Sequence, residues 1–122
     1  RLDLAASDAR IDLVAEGVDL AFRLGALPDS GLTARRLGAY ARWLVAAPSV
    51  AEAMPAVADP GEALQGRCIV FLGTAAADRW RLTRGAEVRE LEATGRTSTG
   101  SGAVVHRLAL LGAGVALLPS FA

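Results

Sequence analysis

The residues best suited to binding a ligand are small and hydroxyl residues that precede a long apolar run. Residues 98–101 read Ser-Thr-Gly-Ser, and Val104, Val105, Leu108 and Leu111 then recur at helical spacing. A helix that begins here exposes unpaired backbone N–H groups at the positive end of its dipole, which suits a small anion. A capping hydroxyl is compatible with this, because other backbone N–H groups can still bind. We therefore expect three residues to contact a ligand: Thr99, Gly100 and Ser101.

A second hydroxyl, on Ser7, is predicted to lie between a strand and a helix. Apolar and polar residues alternate over residues 2–6 and again over residues 18–24, and residues 9–16 have helical periodicity. Such a βαβ unit puts Ser7 at the carboxyl end of its first strand, where ligands bind in open α/β sheets. A plain helix cap is the alternative role for this hydroxyl.

Three further residues are candidates to line a ligand pocket, each with a structural alternative. Arg23 alternates with apolar neighbours, and either faces an acidic ligand or forms a surface ion pair of little net value. Leu72 and Gly73 end a buried apolar run, and either line the pocket or pack at the end of the strand.

The sequence offers no catalytic or metal-binding constellation, so we predict no catalytic residues, no metal and no cofactor. His106 is the only histidine and Cys68 the only cysteine, and neither can assemble a metal site alone. His106 follows Ser101 by a spacing that does not place both on one helix face for nucleophilic catalysis. The string at residues 97–102 lacks the lysine of a phosphate loop, and residues 112–114 lack the third glycine of a dinucleotide fingerprint. We therefore expect that the protein is not an enzyme.

Charge and hydropathy narrow the class of protein. The 122 residues carry thirteen basic and thirteen acidic side chains, and this net charge of zero is poorly suited to gripping a nucleic-acid backbone. Apolar residues make up 52% of the chain, which indicates a globular domain. No run approaches the ~18 apolar residues of a membrane span, and a single cysteine fits a reducing compartment. We expect a cytoplasmic protein that does not bind membranes.

The remaining patterns predict an α/β fold with a parallel sheet, because a helix that feeds a buried strand implies such a sheet. We expect a connector at residues 25–38, strands at 40–47, 67–72 and 115–118, short helices at 48–53 and 59–66, a hairpin around 80–91, and loops at 54–58 and 75–77. A capping box, Asp59-Pro60-Gly61-Glu62, starts the second short helix. Gly112 is predicted to be left-handed after the long helix.

Three segments, in order along the chain, carry a family resemblance. Residues 7–25 read SDARIDLVAEGVDLAFRLG, residues 27–38 read LPDSGLTARRLG with LVAAP following at 44–48, and residues 102–119 end in LALLGAGVALLP. Together they resemble the effector-binding domain of LysR-type transcriptional regulators, a relative of the two-lobed periplasmic binding proteins.

The resemblance implies a two-lobed, periplasmic-binding-protein-like (type 2) α/β fold whose first lobe is incomplete. Lobe I would be residues 1–39, lobe II residues 40–118, and residues 119–122 the start of a return crossing, with hinge strands near 40–42 and 118–120. It also implies a small-molecule effector between the lobes and a homo-oligomer, a dimer or tetramer in the full protein. DNA would be bound only through a winged helix-turn-helix domain that this chain lacks. One departure is Gly100-Ser101, where many members carry Asn-Asp or Asn-Ser, and it removes an amide that could hold a ligand.

The leading hypothesis is therefore a ligand-sensing domain of a bacterial transcriptional regulator that binds a small, anionic metabolite. The predicted effector-binding residues are Ser7, Arg23, Leu72, Gly73, Thr99, Gly100 and Ser101. A small-molecule binding protein of a transport system is the alternative, since it shares the two-lobed fold. We also expect the chain to be cut from a longer protein at both ends, so that exposed apolar surface makes it marginally stable or self-associating.

Overall fold

The computed structural model describes residues 1–74 and 76–122, and its helices and strands all follow residue 41. In chain order they are β1 (Arg42–Val45), α1 (Pro48–Glu52), α2 (Pro60–Leu64), β2 (Ile69–Phe71), β3 (Arg79–Arg84), β4 (Glu87–Glu92), β5 (Thr97–Thr99), α3 (Gly102–Leu110) and β6 (Ala116–Pro119). The loop predicted at residues 75–77 includes residue 75, which lies outside the described residues.

The central strands form two pairs that a bridge joins. β2 and β5 run parallel, and β1 and β6 run antiparallel with Arg42 opposite Pro119. Between the pairs, the Ile69 N–H donates to the Val115 carbonyl and the Val115 N–H to the Arg67 carbonyl, both at 2.8 Å. The strands therefore follow one another in the order β5, β2, β6, β1, and the predicted parallel pairing is present in β2 and β5.

Strand β5 was not predicted from the sequence, which placed residues 94–97 in a connection and residues 98–101 at a helix start. Its three residues are hydroxyl-bearing and lack the apolar alternation of a typical strand. They become a strand because β2 supplies a complete set of backbone partners, a contact between distant parts of the chain.

Helix α3 covers one face of the sheet. Val105 and Ala109 are buried and pack against Ile69, Ala116 and Leu118. Residues four apart lie on one face of a helix, so this pair forms the buried face of α3. The apolar stripe predicted for this helix is therefore buried only in part.

The correction to the predicted stripe concerns Val104 and Leu111, which are both exposed. Val104 is rotated away from the Val105–Ala109 face, and Leu111 is the C-cap of the helix rather than part of its last regular turn. Leu108 remains partly buried against the core.

The end of α3 is a Schellman motif, which confirms the left-handed glycine predicted there. Gly112 has a φ of 78°. The Ala113 N–H donates to the Leu108 carbonyl at 2.9 Å, and the Gly112 N–H donates to the Ala109 carbonyl at 3.1 Å. These two hydrogen bonds satisfy carbonyls that the helix end would otherwise leave unpaired.

The predicted hairpin is confirmed as β3 and β4, which pair antiparallel with Arg84 opposite Glu87. The two-residue turn starts at Gly85, whose φ of 61° suits the first central position of a type II′ turn. Arg89 donates to the Glu87 carboxylate at 2.8 Å and lowers the pKa of that carboxyl. The stabilisation from this ion pair is present above the ordinary pKa of a glutamate and is lost as the pH falls through the lowered pKa of Glu87. It is small, because both side chains are exposed.

The N-cap predicted for α2 at Asp59 is also confirmed, whereas within the described residues Glu62 does not accept from the Asp59 N–H to complete the capping box. The Gly61 N–H donates to Asp59 Oδ1 at 3.2 Å, and Pro60 occupies the first turn. A carboxylate at this position satisfies a free N–H and complements the helix dipole.

Residues 1–41 contain no helix or strand, which corrects the βαβ unit predicted for residues 1–24. The predicted helix is reduced to one turn that Asp12 caps, since its Oδ1 accepts from the Val14 and Ala15 N–H groups. A strand requires backbone partners, and no described residue forms a ladder with residues 2–6 or 18–24. The assignment of residues 1–39 to a lobe stays a prediction.

Apolar side chains in this first segment are open to solvent. Leu2 and Leu4 are each 86% exposed, and Leu20 and Phe22 are also exposed. Among the described residues, no helix combines the length and apolar character needed to cross a membrane.

The thiol of Cys68 is buried in the core beside Leu64, Val70 and Trp80. Its burial raises its pKa, while a backbone hydrogen bond with Thr94 acts in the opposite direction. The Cys68 Sγ lies 3.5 Å from the Leu64 carbonyl oxygen, to which the neutral thiol donates. The folded state therefore favours the neutral thiol.

We expect Cys68 to react with a disulfide reagent at pH 8 at least about a hundredfold more slowly in the native protein than in denaturant, because reaction requires opening of the core. Since the folded pKa is raised, the contribution to stability is intact below the unfolded value of about 8.5 and declines as the pH rises above it. A native rate equal to that of the denatured chain would contradict this placement of the thiol.

Candidate functional site

An open groove of about 520 Å³ lies where the first segment of the chain meets the ends of β2 and β5. Its lining residues are Asp8, Ala9, Arg10, Leu72, Gly73, Thr74 and Gly100. A hollow of this volume is within the range of sites for small ligands.

One wall of the groove is built by the carboxyl ends of two parallel strands. The Leu72 N–H donates to the Thr99 carbonyl at 2.8 Å, so the chain leaves β2 and β5 side by side. Gly73 and Gly100 follow directly, and Leu72 is 56% exposed. This is the edge of an α/β sheet where ligands characteristically bind.

Gly73 exposes its backbone to the groove. A side chain at this position would overlap the ring of Phe71, which folds back over the glycine. Because Gly73 has no side chain, its backbone N–H and C=O groups can approach a ligand closely.

The N-terminus of α3 stands beside the same groove. Ser101 is the N-cap, yet its side chain makes no capping hydrogen bond. Instead, the Ser101 N–H donates to Thr99 Oγ1 at 3.2 Å, and the Gly102 N–H donates to Asp8 Oδ2 at 2.8 Å. The carboxylate that satisfies this helix end therefore comes from a residue 94 positions away.

Arg10 supplies the positive charge of the groove. Its side chain is exposed, and within the described residues it forms no ion pair. A guanidinium offers several N–H donors in a planar arrangement that matches a carboxylate. The groove thus contains one cation beside apolar Leu72 and the hydroxyl of Thr74.

The structure brings together some of the predicted ligand residues. Leu72, Gly73 and Gly100 line the groove. Thr99 and Ser101 flank it, with the Thr99 hydroxyl bound to the Ser101 N–H. Their contact with a ligand stays a prediction.

Ser7 and Arg23 lie outside the lining residues. The Ser7 hydroxyl accepts from the Ala9 N–H at 3.1 Å, which is a local turn and matches the capping alternative. Arg23 donates to the Ile11 carbonyl at 2.7 Å, and within the described residues it forms no ion pair. Contact of Ser7 or Arg23 with a ligand stays a prediction.

Sequence reasoning missed the four groove residues Asp8, Ala9, Arg10 and Thr74. The first three directly follow Ser7, and the signal that could have found them is the polar string Ser7-Asp8-Ala9-Arg10 at a predicted strand end. The sequence predicts Asp8 as a possible cap and Ala9 and Arg10 as the start of a helix, whereas the structure leaves residues 8–10 outside any helix and lining the groove.

The other residues considered for chemistry lie elsewhere. His106 borders a second, more apolar hollow of about 290 Å³ with Trp43 and Leu118. Residues 1–74 and 76–122 hold no group of three or more side chains that could bind a metal ion.

Comparison with known proteins gives the family. A family model described as the LysR substrate binding domain matches residues 1–122. The transcriptional regulator PtxR of Pseudomonas aeruginosa is 33% identical over 121 residues, covering 99% of this chain and 39% of PtxR. The regulator CrgA of Neisseria meningitidis serogroup C is 31% identical over 122 residues, covering 99% of this chain and 40% of CrgA. The chain thus spans about two fifths of the length of these relatives.

Solved structures agree with the family model. A variant of the regulatory domain of AphB from Vibrio vulnificus is 26% identical, with a TM-score of 0.63 over 80% of this chain and 48% of that one. A full-length AphB variant is 27% identical, with a TM-score of 0.59 over 80% of this chain and 33% of that one. The periplasmic-binding-protein-like α/β fold expected from the resemblance is confirmed. The chain belongs to the LysR substrate-binding domain family.

Proposed function

We propose that this chain is the effector-sensing part of a LysR-type transcriptional regulator, and that a small anionic metabolite binds in the groove between residues 8–10 and the ends of β2 and β5. The groove itself carries the proposal. It joins two distant segments of the chain, it has the dimensions of a small-molecule site, and it contains a cation that is not paired within the described residues. The curated relatives support a regulator rather than a transport protein, because PtxR and CrgA are both HTH-type transcriptional regulators.

The candidate ligand-binding residues differ in whether their polar groups must first give up a hydrogen bond within the protein. Arg10 and the backbone of Gly73 and Gly100 border the groove directly. Thr99 and Ser101 stand beside it and reach a ligand by exchanging the hydrogen bond between them. Ser7 requires a similar exchange with the Ala9 N–H, and Arg23 would have to leave the Ile11 carbonyl.

The mechanism of sensing follows from the composition of the groove. Its walls come from two parts of the chain, so a ligand that contacts both stabilises one relative position of these parts. A ligand can shift such an equilibrium only by its difference in affinity for the two arrangements. The hinge predicted near residues 40–42 and 118–120 belongs to the same proposal, and it is supported by the pairing of Arg42 with Pro119. DNA binding through a separate helix-turn-helix domain, a homo-oligomeric assembly and a cytoplasmic location belong to the same proposal.

We expect one or more members of a panel of small mono- and dicarboxylates to raise the melting temperature of the protein, and Arg10→Gln to weaken the effective ligand about tenfold. The estimate takes the lower end of the 1.5–3 kcal/mol of a charged hydrogen bond, because Arg10 is exposed. Thermal shift identifies the ligand and isothermal titration calorimetry measures its affinity. Arg35→Gln is the matched control, since Arg35 is exposed and outside the groove lining. Absence of stabilisation by every carboxylate, or equal affinities for the two variants, would count against the proposal.

A further inference from the structure

We propose that Asp8 is a specificity-determining residue that reserves the N-terminus of α3 for its own carboxylate and so directs the anionic group of a ligand to Arg10. This inference rests on the proposed function, because it concerns the same groove. It differs from the expectation drawn from the sequence, which placed the ligand anion on the backbone of α3 itself.

The first step is the identity of the group at the helix end. The Gly102 N–H donates to Asp8 Oδ2 at 2.8 Å, and no acidic residue occurs in the first turn of α3. The side chain of the N-cap residue Ser101 does not cap the helix. Asp8 therefore supplies from elsewhere in the chain the negative charge that helix N-termini favour.

The second step is the consequence for a ligand. Asp8 lines the groove as well as holding the helix, so an anion that approached the Gly102 amide would meet a carboxylate already bound there. Like charges at this separation repel each other, and the amide N–H is no longer free. The positive group that the groove still offers is the guanidinium of Arg10.

The third step is that Asp8 also connects the two walls. Within the described residues, its bond to Gly102 is the one hydrogen bond between residues 1–39 and residues 40–122. An anion that displaced Asp8 would thus break this hydrogen bond between the two walls of the groove, whereas one bound to Arg10 leaves it in place. A single carboxylate therefore both repels a ligand anion from the N-terminus of α3 and links the two walls of the groove.

The test observes the Gly102 amide directly. The chain contains two Ser–Gly pairs, Ser30–Gly31 and Ser101–Gly102. Cell-free synthesis with carbonyl-¹³C serine and ¹⁵N glycine therefore yields a filtered spectrum with two amides, in which exposed Gly31 is the internal reference. Acetate is titrated against chloride at constant ionic strength into the wild type, Asp8→Ala, the isosteric Asp8→Asn and the control Asp19→Asn. Asp19 is an exposed acid of the same segment that does not line the groove.

We expect the Gly102 amide to be insensitive to acetate in the wild type and in Asp19→Asn. In Asp8→Ala the Gly102 amide resonance should shift upfield, since the amide loses a charged acceptor. It should then move saturably with acetate, at an affinity about two- to fivefold higher than the upper limit that the wild-type titration sets. Asp8→Asn, which retains the shape, should lie between the two. A Gly102 amide that responds to acetate equally in wild type and Asp8→Ala overturns the proposal, and so does one that Asp8→Ala leaves unmoved. Failure of the proposed function appears separately, as the absence of any carboxylate effect on the melting temperature of the wild type.

Discussion

Replacement of Gly95 by alanine should lower the free energy of unfolding by about 3 kcal/mol or more, at the upper end of the cost of overpacking. A Cβ atom at this position would overlap the carbonyl oxygen of Cys68 and lie 2.7 Å from its carbonyl carbon. The opposing atoms belong to backbone, so no change of rotamer relieves the clash. The chain must instead break the bridge between Arg67 and Gly95, together with the bond from the Cys68 N–H to the Thr94 carbonyl.

The measurement is chemical denaturation followed by circular dichroism, with Gly38→Ala as the matched control. Gly38 has no atom within 4 Å of an added Cβ and has no positive φ, so the same substitution should be close to neutral there. A difference of this size also lowers the melting temperature by more than about 10 °C. Equal stabilities of the two variants would show that β2 and residues 94–95 do not approach as closely as the structure places them.

The same contact matters for the groove. Residues 94–96 lead into β5, and the bridge at Gly95 fixes the position from which β5 runs beside β2. If this contact opens, the Leu72 N–H and the Thr99 carbonyl separate, and the wall formed by Leu72, Gly73 and Gly100 loses its shape. Ligand affinity and stability should therefore fall together in Gly95→Ala, whereas Arg10→Gln should reduce affinity alone.

Features whose causes lie within a few residues could be predicted from the sequence. The Schellman glycine at Gly112, the cap at Asp59 and the turn at Gly85 each depend on one residue type in a local context. The hairpin follows from such a turn between two alternating segments. The family resemblance added the periplasmic-binding-protein-like type of α/β fold, because its three segments occur in order between residue 7 and residue 119.

Features that depend on distant partners could not be predicted. The alternation at residues 2–6 and 18–24 is that of a strand, yet a strand requires a neighbour, and the described residues provide none there. The reverse applies to β5, whose sequence is a poor strand but whose neighbour β2 is in place. Pattern indicates which segments can pair, and only the spatial arrangement decides which of them do.

The candidate site shows the same division. Leu72, Gly73 and Gly100 could be placed because strand ends and helix starts are local signals, and all three line the groove. The polar string at residues 7–10 points to Asp8 and Arg10 but not to their role, which depends on where a segment without regular structure meets α3. The anion expected at the helix N-terminus is present in the structure as a side chain of the protein itself.

The core beneath the hairpin gives the second large effect, because Trp80→Ala should destabilise the protein by about 3–5 kcal/mol. Trp80 is 4% exposed and belongs to a buried cluster with Leu64, Cys68, Val70, Ala93 and Val115. Its indole joins the hairpin to the bridge region between β2 and β6. Removing it leaves a cavity that the surrounding backbone cannot fill, since β3 is held in register by its pairing with β4.

Trp43→Ala is the matched control, because Trp43 is 59% exposed on β1 and its truncation should cost less than about 1 kcal/mol. Tryptophan fluorescence distinguishes the two side chains, since a buried indole emits at shorter wavelength than an exposed one. The fluorescence of Trp43→Ala should therefore be blue-shifted relative to that of Trp80→Ala in the native state, and the difference should vanish in urea. Equal losses of stability in the two variants would mean that Trp80 is not an anchor of the core. The hairpin would then be a peripheral element, and the cluster around Cys68 would have to be held by α2 and the sheet alone.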